Sequence, residues 1–349
     1  MRILLTGRQG FDYNRVRVLV AGLEAVAVNQ FKIFEFGDRT AEKGAELLEY
    51  TKRCDVIYIP PFRRLDVSFV RKYSAGKPIV FDPLIGTYIT RVIDDGFWWR
   101  GPIAKWRDRR DFMRADHLIW DTDAHRNWGV KTFGLDPAKS HTLYIGADTN
   151  LFPPVAKTER APGEPIMFGF YGSLAPLQGV ETIMQAAELL RDRADIRFEL
   201  IGPIDKKKST AVLREQLTTK HITYVPHLPY EELQERIRSF DVGLGVFGPS
   251  LKADVVIPNK IYHYAALGLP IISRKTAGME EQFREGESYL GVGTSPEVLA
   301  KAIVTLAENA SLRQNLGRAA LSKTKKVLSH TQVAKDFLKL MENVLGASR

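Results

Sequence analysis

Short β-rich apolar runs alternate with helix-length amphipathic stretches along this chain, and they do so in two separate series. In the first half the runs are residues 3–6, 32–36, 56–59, 79–81, 118–120 and 142–145. In the second they are 167–171, 198–201, 222–225, 242–246 and 271–273, with helical patterns such as 180–190, 231–240 and 295–308 between them. Strands joined by helix-length crossovers pair in parallel, and right-handed crossovers lay helices on both faces of the sheet. The expected fold is α/β, with two doubly wound parallel-sheet domains. Length agrees, because 349 residues exceeds the size at which a single hydrophobic core usually keeps growing. The join is marked by the polar, proline-rich stretch from Pro153 to Pro165, which reads as an exposed, semi-rigid linker. The expected domains are residues 1–153 and 154–330.

Composition narrows the class. Hydrophobic residues make up 44% and charged residues 26%, ordinary for a globular chain, and no stretch approaches the ~20 continuous apolar residues of a membrane-spanning helix. An integral membrane protein is not expected. The opening Met1-Arg2-Ile3-Leu4-Leu5-Thr6-Gly7 is too short an apolar run for a signal peptide, and Cys54 has no second cysteine to pair with. The expected location is the cytoplasm. A net charge of +9 implies attraction to an acidic partner: nucleotide phosphates, nucleic acid or anionic headgroups. The lysine run at 206–208 reads as a solvated loop.

In open parallel sheets ligands bind beyond the carboxyl ends of the strands, so the loops after strands carry the candidate residues. The segment Pro258-Asn259-Lys260-Ile261-Tyr262-His263-Tyr264 reads as a helix opened by Pro-Asn and ended by Gly268, ahead of the apolar Ile271-Ile272. Its first turn puts Asn259, Lys260 and Ile261 where unpaired N–H groups and the positive end of a helix dipole can meet a phosphate. A second loop, Gly172-Ser173-Leu174-Ala175-Pro176-Leu177-Gln178-Gly179, joins a strand to a helix. Gly172 allows close backbone approach, Ser173 offers a hydroxyl, and Gly179 falls near the helix start.

In the first half, Gly7-Arg8-Gln9-Gly10 is either a tight turn or a loop that admits a phosphate or an acceptor. It is not G-x-G-x-x-G, although Glu35 stands about where a ribose-binding acid falls in a dinucleotide domain. Asp82 follows the run 79–81 and, with Pro83, suits a turn. Asp121, Thr122 and Asp123 read as helix caps. Between Phe97 and Arg114, Trp98, Trp99 and Trp106 interleave with Arg100, Arg107 and Arg110, and Ile103, Trp106 and Met113 share a helical face. That face either packs into the core or, with its arginines, grips an anionic leaflet. No RNA-binding signature accompanies it, so no nucleic-acid partner is expected.

In the second half, Gly172-Ser173-Leu174 with Gln178-Gly179-Val180, Phe198-Glu199-Leu200-Ile201-Gly202, Val225-Pro226-His227-Leu228-Pro229, Ser239-Phe240-Asp241-Val242-Gly243, Pro258-Asn259-Lys260 and Ala265-Ala266-Leu267-Gly268-Leu269-Pro270 fall in order. Their spacing resembles the nucleotide-sugar domain of GT-B glycosyltransferases of the family-4 type, the glycosyl transferases group 1. Tyr144-Ile145-Gly146-Ala147-Asp148-Thr149-Asn150-Leu151-Phe152-Pro153 is similar to the segment that ends the amino-terminal domain of that family. The resemblance implies two Rossmann-like domains facing across a cleft, the first for the acceptor and the second for a nucleotide-diphosphate sugar. It also implies a carboxyl-terminal helix, within 331–349, that packs back toward the first domain. The implied activity is transfer of a hexose-type sugar, with a UDP-sugar favoured over a GDP-sugar, to a lipid-linked or polysaccharide acceptor in envelope or exopolysaccharide synthesis. The implied place of work is the cytoplasm, peripheral on the inner face of the membrane. No cofactor or metal is expected, because Lys260 and helix dipoles can stand in for one.

The chain departs from the family's pattern at phosphate and ribose positions. Members commonly carry an Arg and a Lys where this chain has Ser173 and Gln178, and two glutamates eight residues apart where it has Val255 and His263. The resemblance then makes Lys260 the main positive charge on the departing diphosphate. It makes His263 a ribose contact, places His227 in the loop beside the base, and makes Asp82 a base for the acceptor hydroxyl or a positioning group. Three other readings stay open: a non-catalytic GT-B partner subunit, a nucleotide-sugar epimerase of the same architecture, and an NAD-dependent oxidoreductase using the 7–10 loop and Glu35.

Overall fold

The computed structural model describes residues 1–84, 86–94, 96–155, 163–204 and 221–347, so the lysine run at 206–208 and part of the proline-rich linker lie outside the described residues. The chain divides into two compact units. Unit 1 is Met1–Asp148 with Leu328–Arg349, and unit 2 is Thr149–Val327.

Unit 1 runs β1 (Ile3–Gly7), α1 (Asn14–Ala27), β2 (Phe31–Glu35), α2 (Ala41–Thr51), β3 (Val56–Ile59), α3 (Arg64–Lys72), β4 (Ile79–Phe81), α4 (Gly101–Phe112), β5 (His117–Trp120), α5 (Asp123–Phe133) and β6 (Ser140–Thr142). Among the described residues these strands form one six-stranded parallel sheet in the order β2-β1-β3-β4-β5-β6. Every residue of β1, β3, β4 and β5 is buried, as expected of strands covered on both faces, whereas the edge strand β2 is half exposed. The carboxyl-terminal helix His330–Ala347 completes this unit: Val333, Ala334, Phe337 and Met341 join Leu19 and Leu23 of α1 in one core over β1 and β3.

Unit 2 runs β7 (Ile166–Tyr171), α6 (Val180–Leu189), β8 (Ile196–Ile201), β9 (Ile222–Val225), α7 (Tyr230–Arg238), β10 (Val242–Leu244), α8 (Leu251–Val255), α9 (Asn259–Leu267), β11 (Ile271–Arg274), α10 (Ala277–Gln282), β12 (Leu290–Val292), α11 (Pro296–Glu308) and α12 (Ala310–Lys323). Its strands, again six and parallel among the described residues, lie in the order β12-β11-β10-β7-β8-β9. Helix α9 is buried from Lys260 to Leu267, which fits its almost wholly apolar second half.

Three differences from the sequence reading stand out. The boundary falls at 148/149 rather than 153/154, because Phe152 is buried in unit 2, stacked on His263 at 3.9 Å. Strand β12 is short, and its Leu-Gly-Val has no alternating pattern to announce it. Of the expected caps before α5, Thr122 accepts from the His125 N–H at 3.0 Å, but Asp121 pairs with His125 Nδ1 at 2.6 Å and Asp123 accepts from the Thr142 hydroxyl at 2.6 Å.

Candidate functional site

In unit 2 the chain leaves β7 toward β8 on one side and β10 toward β11 on the other, which makes the crevice beyond β7 and β10 the switch point of this sheet. Three segments meet there. The loop after β7 carries Gly172 and Ser173 into the short turn Pro176–Gln178, whose Gln178 carbonyl accepts from Phe247 N–H at 3.0 Å, tying it to the loop after β10. Gly179 has φ of 72°, and a Cβ there would stand 2.5 Å from the backbone of Phe247 and Gly248. Only glycine fits a left-handed residue pressed on backbone in this way.

The first turn of α9 closes the group. Lys260 Nζ donates to Gln178 Oε1 at 2.9 Å, lies 3.5 Å from the Phe170 ring centroid, and stands 3.3 Å from where a Cβ on Gly172 would be. Residues 172, 178 and 260 are thus brought together from separate segments. Lys260 is 5% exposed, so it is not a solvated surface lysine. Burial pushes its pKa well below the usual lysine value, and among the described residues no carboxylate offsets that push. Beside it, Asn259 is half-buried, and its Oδ1 is buried without a hydrogen-bond partner among the described residues.

Other sequence-predicted residues of this unit are placed differently from expectation. Ile261 is fully buried, and its N–H already donates to the Pro258 carbonyl at 2.9 Å, so it offers a ligand neither side chain nor amide. His263 is 2% exposed between Phe152 and Tyr171, with its Nδ1 2.6 Å from the Tyr171 hydroxyl. Burial lowers its pKa to about 3, leaving a neutral ring locked in an aromatic stack rather than displayed to a ribose. The aromatic neighbours Phe152 and Tyr171 were missed in the sequence because nothing local ties them to position 263. Ser173 and His227 are exposed on loops after β7 and β9.

In unit 1, Asp82 lies in the core rather than on an open loop. It is fully buried, ion-paired with Arg15 of α1, and accepts from the Tyr58 hydroxyl at 3.0 Å. Arg15 also donates to the Leu143 carbonyl at 2.8 Å, so the pair ties α1 and β4 to the segment after β6. The expected base is a buried structural ion partner, because the arginine that neutralises it comes from 67 residues away. Gly7 ends β1 and is buried. Arg8 donates through Nε to the Gly37 carbonyl at 2.7 Å and pairs with Asp38, while its N–H donates to Asp66. Gly10 lies against Arg63.

Helix α4 is turned opposite to the core-packing reading. Its buried side is Gly101, Ala104, Asp108, Asp111 and Phe112, with Arg64 paired to both aspartates. The apolar residues point out: Trp98, Trp99, Ile103, Trp106 and Met113 are all more than half exposed. Arg107 is exposed, and Arg110 lies 5.0 Å from the Trp106 ring centroid. No helix among the described residues is long and apolar enough to cross a membrane.

Two doubly wound parallel sheets of this topology make up the GT-B fold, and solved structures bear this out. Anabaena HepE in complex with UDP superposes with a TM-score of 0.75 at 14% identity, covering 98% of this chain and 100% of that one. Sucrose-phosphate synthase from Thermosynechococcus elongatus gives 0.72 at 14%, covering 99% and 100%. Residues 154–323 match the family model for glycosyl transferases group 1. Among curated relatives, the D-inositol 3-phosphate glycosyltransferase of Nocardioides sp. is 25% identical over 60% of this chain and 50% of its own length. The chain thus spans about half the length of the curated relatives it matches.

Proposed function

We propose that this chain is a glycosyltransferase that moves a sugar from a UDP-sugar to a lipid-linked or polysaccharide acceptor, releasing UDP. The observation that carries the donor half is Lys260, held at the start of α9 beside Gly172 and Gln178 at the unit 2 switch point. Helix-start N–H groups, a glycine loop and one amine are what a diphosphate leaving group needs for stabilisation as its bond to the sugar breaks. UDP is preferred because HepE, similar over nearly the whole chain, was solved with it. The acceptor half rests on the outward-facing tryptophans and arginines around α4, which suit an anionic membrane surface where a lipid-linked acceptor would be met.

The test is a thermal-shift panel of UDP, GDP, ADP and CMP, followed by turnover of UDP-sugars with lipid-linked acceptors. A ligand at ~100 times its dissociation constant stabilises by about 2.7 kcal/mol, so selective binding of UDP is readily seen. Absence of a shift with every nucleoside diphosphate would overturn the reading. One observation favours a second reading, a non-catalytic partner subunit. His263, at the position where relatives of this type carry a ribose-binding acid, is locked in an aromatic stack. A UDP shift without turnover on any acceptor would select it.

A further inference from the structure

The unit 1 sheet has its own switch point, between β1 and β3, since the chain leaves β1 toward β2 and β3 toward β4 in opposite directions. The loops after these two strands touch. An ideal Cβ on Gly10 would stand 3.0 Å from Arg63 Nε, and Tyr13 meets Phe62 edge-to-face with ring centroids 5.0 Å apart. Phe62 has φ of 63°, a left-handed conformation that a bulky residue adopts only when its surroundings hold it. Between them these contacts fix Arg63 at the rim of the crevice.

Arg8, Arg39 and Arg64 follow strands β1, β2 and β3, and all three are already neutralised. Arg8 pairs with Asp38, Arg39 with Asp66, and Arg64 with Asp108 and Asp111. Arg63 differs: its Nε is buried without a partner, and no carboxylate or carbonyl of the described residues bonds its guanidinium. A buried N–H left unpaired is costly, and groups left so in a crevice are commonly completed by a ligand or water. The guanidinium fork matches an oxyanion in two-pronged fashion, which a solvated surface arginine would have no need of.

We propose that Arg63 and the Gly10 loop form an anion subsite of the acceptor site, receiving a phosphate or carboxylate carried by the acceptor. This rests on the glycosyltransferase reading for the word acceptor, but the anion site itself is independent of the donor site on unit 2. The Gly10 position serves it sterically: a side chain there would press on Arg63 and, at φ of 119°, strain the loop.

The experiment measures binding of glycerol phosphate and of glucuronate by thermal shift, with UDP at saturating concentration so that the donor site is filled. One of the two probes is expected to add a second shift in the native chain. In Arg63→Gln its apparent dissociation constant should rise about tenfold or more, the loss of one charge-assisted pair, with the UDP shift unchanged. Arg63→Lys keeps the charge without the fork and should weaken the probe several-fold; it serves if Arg63→Gln does not fold. Vesicles of phosphatidylcholine with phosphatidic acid distinguish the source: loss of vesicle binding in Arg63→Gln assigns a lipid phosphate, and retention with loss of the soluble probe assigns a soluble acceptor. No added shift with either probe, or an equal shift in Arg63→Gln, overturns the proposal. Absence of the UDP shift would instead count against the donor reading, and the probes are then compared without UDP.

Discussion

At the proposed donor site, Lys260 would make UDP binding a proton-coupled event. The residue is buried, its hydrogen-bond partner is the neutral Gln178, and among the described residues no charged group raises its pKa. With its folded pKa depressed, Lys260 stays neutral over a pH window in which the unfolded chain's lysine, titrating near about 10.4, is charged. In that window the unfolded state binds the extra proton, so the stability of the free protein rises with pH, by up to ~1.4 kcal/mol per unit. A bound diphosphate supplies the missing counter-charge and restores the ammonium. The complex then holds one proton more than the free protein, and UDP affinity falls as pH rises, by up to about tenfold per unit. Calorimetry in buffers of different ionisation enthalpy between pH 7.5 and 9.5, above the phosphate's own titration near about 6, should report net proton uptake on UDP binding. Lys260→Met should lose both the uptake and a charge-assisted hydrogen bond worth roughly 1.5–3 kcal/mol. Gln178→Glu places a carboxylate at the same 2.9 Å position, charges the lysine in advance, and should abolish uptake while the lysine remains. A native chain that binds UDP with no net proton exchange and a pH-independent affinity refutes the argument.

Gly179→Ala forces a Cβ onto the Phe247 backbone at φ of 72°, and should cost on the order of 1–3 kcal/mol in urea unfolding and remove the UDP shift. Replacing Trp98, Trp99 and Trp106 together by Ser removes exposed groups only, so unfolding free energy should move by no more than about 0.5 kcal/mol per site while co-sedimentation with anionic vesicles weakens. Unchanged vesicle binding would sink the membrane-facing assignment. Asp82→Asn leaves Arg15 buried without its counter-ion and should destabilise by about 3–5 kcal/mol, more than the double replacement Arg15→Met with Asp82→Leu. If Asp82→Asn instead stopped turnover in a fully stable protein, the carboxylate would be acting as the base after all.

The parts of this protein that were legible in its sequence are those written locally. Apolar runs separated by helix-length crossovers announce both sheets, because a parallel strand buried on two faces leaves a continuous apolar signature. The start and stop of α9 were legible too, since Pro258 and Gly268 act on their own neighbours. What escaped the sequence is whether a charge faces water. Asp82 and Lys260 look alike there, each a polar residue where a strand meets a loop or a helix begins. Asp82 is neutralised by Arg15, while Lys260, 82 residues from Gln178, meets only an amide and a ring. The same limit explains α4: Ile103, Trp106 and Met113 have the spacing of a core face, but Asp108 and Asp111 turn inward, where Arg64 of α3 pairs with them. A paired buried charge holds a fold in place, whereas an unpaired one is poised for an anion that arrives with the substrate. Lys260, a buried amine without a counter-ion, and Arg63, a half-buried guanidinium whose Nε has no partner, are closer to the second kind, one in each unit. Donor and acceptor chemistry in this chain is therefore best sought where a positive group has been placed without its counter-ion.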